Sequence, residues 1–331
     1  MKPQHFRELD QVVVRRFLNA RRSFGESEPR LKFGWSNWGF GRERLEDSAT
    51  RLERHGVRWI ELHGNLYGAD LGYRPEAVTR FLSEHGLAVS GICGMVTPEQ
   101  EFASASPIVR QRAIDYFRRQ IEFCREVGGT YVLFGAGAVG RPVPYDANEL
   151  ERAAETMWVV AEDFEKNGIE GAIEPVRPEE VSVCHTFQDA IRLIELINHS
   201  GVSHIAGDVY HMVSGEGHVG ETLLEFGDLV VNLHLADTNR RALGSGLLDL
   251  DIVLMALYAI GYNRGNRFCT AEPLGAGANP YEMMYGKPDA AEVDSLVGSS
   301  ARNFFEREQE ILAASDDEIA SAYGLDAAYT A

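Results

Sequence analysis

Four stretches in the second half of the chain each end an apolar run with a residue able to bind a divalent cation: GAIEP with Glu174, IAGDVYHM with Asp208, VVNLHLADTNR with His234 and FCTAEPL with Glu272. Two glutamates, an aspartate and a histidine form an oxygen-rich donor set. Such a set suits Mn²⁺, Mg²⁺ or Co²⁺, whereas structural zinc prefers a closed tetrahedron of Cys and His. One catalytic divalent ion is therefore expected. The four residues are separated by 34, 26 and 38 positions, roughly the length of a strand-helix unit. The spacing thus predicts one ligand at the end of each of four successive strands, the arrangement by which a parallel barrel builds a site at its C-terminal face.

The elements that must position these residues can be read along the chain. From residue 31 short apolar or β-branched runs alternate with longer segments of helical period. Strands are expected at 31–36, 57–62, 87–93, 130–135, 169–174, 203–208, 229–234 and 267–272. Their nearly continuous apolar character fits strands covered on both faces. Between two of them, Ile114, Phe117, Ile121 and Cys124 make a helical stripe that stops at Gly128-Gly129. Asp146 with Glu149, and Thr186 with Asp189, read as helix N-caps. Eight units in one run favour a closed (β/α)8 barrel, although an open doubly wound sheet shares the local pattern. The expected division is an N-terminal extension over 1–30, a barrel over 31–290 and a C-terminal helical extension over 291–331. The extensions are expected outside the barrel, in contacts of a homodimer or homotetramer.

Composition narrows the function. With 331 residues, 44% apolar and 25% charged, the chain can bury a sizeable core. A net charge of -18 repels phosphate backbones, so nucleic acid is not an expected partner. No apolar run approaches the ~20 residues that cross a bilayer. Cys93, Cys124, Cys184 and Cys269 are far apart and read as reduced core thiols, which with the lack of a signal-like N-terminus predicts a cytoplasmic protein. GAGAVG at 135–140 matches a dinucleotide fingerprint after a strand, but RPVPYD follows where a helix would have to open. No nucleotide cofactor is expected, and the segment reads as a mobile loop at the barrel mouth.

Three residues follow the ligands at short intervals: Glu180, His211 and Arg240. With them, EPVRPEE, DVYHM, HLADTNRR followed by Gly244-x-Gly246, and AEPL resemble the motifs of the xylose-isomerase-like TIM-barrel sugar isomerases and epimerases, most of all the ketose 3-epimerases of the D-tagatose and D-psicose type. The resemblance covers roughly residues 31–275. It implies that Glu174, Asp208, His234 and Glu272 hold the metal and that Glu174 and Glu272 form the acid/base pair. Glu180, His211 and Arg240 would contact a small-molecule sugar. The implied reaction is epimerisation or isomerisation of a ketose through a metal-stabilised cis-enediolate, with 3-epimerisation favoured. The alternatives are a keto-inositol dehydratase or 1,2-isomerase on the same site and, more remotely, a non-catalytic sugar-binding protein. The fifth motif departs from many relatives, since Arg177-Pro178-Glu179-Glu180 leaves Glu179 as a rival to Glu180. Trp35, Trp38 and Phe40 read either as an apolar wall over a sugar or as core, Arg240 and Arg241 either as site residues or as a solvated pair. Glu61 and His63 point to the same mouth without an assigned role. Gly244 to Gly246 and Gly275 to Asn279 keep a phosphorylated substrate open.

Overall fold

The structure is a computed structural model that describes residues 3–64, 73–275, 283, 286 and 289–325; Ala276 to Asn279 of the last glycine-rich segment lie outside the described residues. Eight strands form: β1 (Lys32–Ser36), β2 (Trp59–His63), β3 (Ala88–Cys93), β4 (Tyr131–Gly135), β5 (Glu170–Glu174), β6 (Val202–Asp208), β7 (Val230–Leu235) and β8 (Phe268–Ala271). Each pairs in parallel with its neighbours, and β8 pairs with β1, so the sheet closes as a barrel in sequence order. An open sheet is excluded. The apolar runs set these strands, because both faces are covered: one by the packed lumen, the other by helices.

Register matters for the site. Asp208 lies opposite His234, and His234 opposite Thr270, which brings adjacent strand ends to one level. The register shifts at Ile60/Glu61, Gly171/Ala172 and Ile205/Ala206, all in strands that carry a polar residue into the mouth. Such bulges re-aim side chains beside active sites. The opposite end of the lumen is plugged by Tyr131, Phe268 and Trp59, with Lys32 over the last two rings at 5.2 and 5.1 Å. Among the described residues that end of the lumen is filled, and the buried acids lie at the other.

The helices are α1 (Gln4–Arg21), α2 (Leu45–Arg54), α3 (Pro75–Glu84), α4 (Pro107–Glu126), α5 (Glu149–Asn167), α6 (Phe187–Ile197), α7 (Val209–Gly215), α8 (Val219–Phe226), α9 (Leu250–Ala259), α10 (Ala290–Ala313) and α11 (Asp316–Ala322). The stripe of Ile114, Phe117, Ile121 and Cys124 is buried as expected. Thr186 and Asp189 form a full capping box, but Asp146 does not cap α5. Its carboxylate instead accepts from the backbone N–H of Asn148 and from Arg152, an Asx turn that competes with a cap.

Both terminal segments pack against the helices of the barrel. Helix α9, LDIVLMALYA, is apolar all round and needs cover on its outer face. Helix α1 supplies it, burying Val13, Val14, Phe17 and Leu18 against α9. Helix α10 packs against both α9 and α2, the helices that follow β7 and β1, and so completes the outer ring. It supplies the helix that follows β8 in the eighth unit.

Candidate metal centre

Glu174 ends β5, Asp208 ends β6, His234 lies on β7 and Glu272 follows β8. All four are buried, and one ligand atom from each lies within 4.8 Å of all the others. Asp208 also caps α7 through the backbone N–H of Tyr210 at 2.8 Å, leaving its second oxygen 3.3 Å from His211 Nε2. His234 Nδ1 faces Glu272 Oε2 at 3.2 Å and Glu174 Oε1 at 3.4 Å, yet makes no aligned hydrogen bond. A buried polar atom is rarely left so.

The electrostatics are unfavourable without a cation. Burial, then the nearby Glu272 and Glu174, push the Asp208 carboxyl up to about 8. Burial pushes Glu272 up to about 6 against the opposing pull of His234. Burial opposes charge on His234, but Glu272 and Glu61 outweigh it and raise the ring well above its ordinary value. Several carboxylates crowded around one imidazole cost several kcal/mol each in desolvation, and a divalent ion placed among them would reverse these shifts. The hard oxygen donors, the orphaned Nδ1 and the compact separation all fit one such ion. A second compatible group, Glu61, Cys93 and Glu272, shares a member with the first. Burial and nearby carboxylates keep the Cys93 thiol neutral.

Around this cluster the residues left with two readings by the sequence differ in burial and contacts. Glu180 is buried while Glu179 is exposed, and Glu180 Oε1 accepts from Arg177 Nε at 2.7 Å and from Arg240 Nη1 at 3.1 Å. Arg240 is 4% exposed and Arg241 is exposed, so the pair is not a solvated one. The Arg240 backbone takes φ +58°, held by its N–H to Asp237 O and its carbonyl to the N–H groups of Leu274 and Gly275. Asp237 folds this loop by accepting from the N–H groups of Thr238, Gly244 and Leu248. The GxG motif then has a physical cause. Gly244 has φ +82°, and a Cβ at Gly246 would lie 2.2 Å from the Asp237 carboxylate.

His211 is buried, its ring held neutral by burial and by Arg240 and Arg177, and its Nδ1 has no partner. Trp38 separates from its neighbours: Trp35 stacks on Phe40 in the outer core, while the Trp38 indole N–H donates to Glu272 Oε1. Trp38, Met95, Val139, Val176, Val181 and Leu274 form an apolar cluster, each following a strand end and so walling the mouth. His63 is buried, its ring pushed down to about 3 by burial, and its backbone N–H donates to Asn37. The GAGAVG segment is packed, not loose: Ala138 N–H donates to Glu101, and Arg141 bridges the buried Glu101 and Glu149.

Two residues escaped a role in the sequence. Tyr210 lies with its ring centre 4.8 Å from both the Arg177 and Arg240 guanidiniums. Glu61, fully buried, accepts at Oε1 from His234 Nε2 at 2.9 Å and at Oε2 from Tyr131 and Asn232. A signal for Glu61 existed, since a carboxylate between Ile60 and Leu62 in a strand covered on both faces has to point into the lumen.

The family profile described as Xylose isomerase-like TIM barrel matches residues 49–280. A ketose 3-epimerase of Arthrobacter globiformis is 28% identical over 185 residues, covering 55% of this chain and 63% of that protein, slightly under two thirds of its length. A 3-dehydro-D-guloside 4-epimerase of Escherichia coli K12 is 24% identical over 241 residues, covering 70% of this chain and 89% of the relative. Among solved structures, an L-ribulose 3-epimerase superposes with a TM-score of 0.74 at 19% identity, covering 85% of this chain and 96% of that one, a likeness of fold.

Proposed function

Since the chain belongs to the xylose isomerase-like TIM-barrel family, we propose that it is a divalent-metal-dependent sugar epimerase that inverts a stereocentre beside a ketone, with 3-epimerisation of a ketose as its reaction. The observation that carries the reading is the buried cluster itself. Two of its carboxylates, Glu174 and Glu272, enter from strands three apart and so offer two proton-handling groups to one substrate. The relatives named a ketose 3-epimerase and a 3-dehydro-D-guloside 4-epimerase support it, because in each name the inverted carbon neighbours a ketone.

Glu174, Asp208, His234 and Glu272 would hold the ion. When bound there, a divalent cation supplies Lewis-acid stabilisation worth several kcal/mol to the negative charge that develops on the substrate's oxygens. The chain's own groups do the rest. The Glu272 carboxylate takes the proton from the carbon beside the ketone, and that C–H electron pair becomes the enediolate double bond. Delivery of a proton from the side of Glu174 to the opposite face restores the ketone and inverts the centre. The Trp38 N–H fixes one Glu272 oxygen and leaves the other for this work. His211 and Arg240 orient sugar hydroxyls, and Glu180 holds Arg240 in place. The apolar wall of Trp38, Met95, Val139 and Leu274 excludes water from the reactive intermediate.

The reading is tested by incubating the metal-loaded protein in deuterated water with free ketoses, ketose phosphates, 3-keto-glycosides and keto-inositols. Solvent deuterium at an inverted carbon of a ketose supports it. Loss of water with an enone absorbance would instead identify a dehydratase.

A further inference from the structure

We infer that Glu61 is a positioning residue that fixes which ring nitrogen of His234 keeps its proton, and thereby turns Nδ1 into a lone-pair donor toward the cation site; this rests on the metal-dependent reading above. Glu61 is wholly buried on β2, directly beneath the cluster. Its Oε1 lies 2.9 Å from His234 Nε2. Its Oε2 accepts from the Tyr131 hydroxyl at 2.7 Å and from Asn232 Nδ2 at 3.1 Å. The Asn232 amide is oriented by that carboxylate, since turned over it would set its carbonyl oxygen against Glu61, whereas the Thr270 hydroxyl 2.6 Å away can pair with either end. Both oxygens of the Glu61 carboxylate therefore face donors. A carboxylate, which only accepts, satisfies all of them. The remaining donor at Oε1 has to be the Nε2–H of His234, so a neutral ring keeps its proton there. Nδ1, which faces Glu174 and Glu272 without a hydrogen bond, is left with a lone pair. A ligating histidine whose other nitrogen donates to a carboxylate is oriented and made more basic by it.

The same geometry says how to break the device without emptying the space. In Glu61→Gln one oxygen becomes an NH2, which meets either the Asn232 amide N–H or the His234 Nε2–H. The first choice sets donor against donor in a buried network. The second drives the ring proton to Nδ1, where the cation has to bind. Adding Asn232→Asp removes the conflict, since the new carboxylate accepts from Thr270 and from the Gln amide, the Tyr131 hydroxyl turns its proton to Ser90 Oγ at 3.3 Å, and the Gln oxygen faces Nε2–H again.

The test is the dissociation constant for Mn²⁺ alone, by calorimetry, with the visible absorption of the Co²⁺ form and the melting temperature of each metal-free protein. E61Q is expected to bind about 10- to 100-fold more weakly and to shift the Co²⁺ bands, while E61Q/N232D recovers to within about threefold of the wild type. Glu61→Asp, which keeps the charge but withdraws it from the ring by a methylene, is expected to lose about tenfold and provides the reading if E61Q does not accumulate folded. Wild-type Mn²⁺ affinity in E61Q or in Glu61→Asp, with only the melting temperature lowered, would assign Glu61 to packing alone and overturn the inference. So would a double variant no tighter than E61Q. A wild-type protein that takes up neither Mn²⁺ nor Co²⁺ overturns the inference together with the metal reading, which separates the two failures.

Discussion

Among single residues, the buried groups of the site are held by few and specific partners. Glu272 is gripped by Trp38 on one oxygen and faces His234 with the other, so its amide isostere keeps the shape and loses the proton chemistry. Glu272→Gln is expected to fold and to lose at least ~10²-fold in kcat, the lower end of what a general acid/base contributes; wild-type turnover in that variant contradicts the two-carboxylate scheme. Arg240 is buried against Glu180 and far from being a surface charge. Arg240→Ala should leave Mn²⁺ binding intact and reduce kcat/KM by about 10- to 100-fold, the effect of removing a charged substrate contact of ~1.5–3 kcal/mol. Loss of the metal would place Arg240 among the groups that hold the ion. The four residues of the buried cluster and Arg240 could be picked out of the sequence because each sits in a short motif at a strand end. Glu61 and Tyr210 were not given roles, because their partners, Tyr131, Asn232 and Arg177, come from other strands and loops that only the closed barrel brings together.

At the scale of elements, the strands were readable to within two residues and the helix ends less so. Strand limits follow the apolar runs, a property of local sequence. Caps depend on which of several short polar side chains wins the free N–H groups, and at α5 Asp146 is drawn off by Asn148 N–H and Arg152. The loop after β7 shows how an element serves the site. Asp237 gathers three N–H groups, and Gly246 packs against it where no Cβ fits. Gly246→Ala is therefore expected to destabilise the fold by ~1–3 kcal/mol through overpacking and to lower kcat/KM by moving Arg240. Urea unfolding and steady-state kinetics on the same preparation check both; unchanged values would mean that the loop yields without cost.

At the scale of the whole molecule, the ring of helices closes around a lumen whose one open end carries buried acids. The barrel was legible from its eight repeats. What the repeats hid was that α1 covers α9 and that α10 completes the ring, both matters of long-range packing. The buried acids give the whole fold a pH signature. A carboxyl raised from 3.8 to about 8, as at Asp208, binds more protons folded than unfolded between those values, so metal-free stability falls as pH rises. Glu272, raised from 4.5 to about 6, and His234, also raised, act in the same direction. A cation needs these groups deprotonated, so it stabilises more as pH rises. The gain in melting temperature on adding Mn²⁺ should therefore grow from about pH 5 to about pH 8, and a pH-independent gain would place the ion elsewhere. The most direct test of the central claim is the rate of deuterium uptake from solvent at the inverted carbon of a ketose, measured on protein stripped by chelation and again after Mn²⁺ is restored. Uptake with inversion is expected in the restored protein, and at least ~10²-fold slower uptake in the stripped protein. Equal rates in the two would contradict that claim.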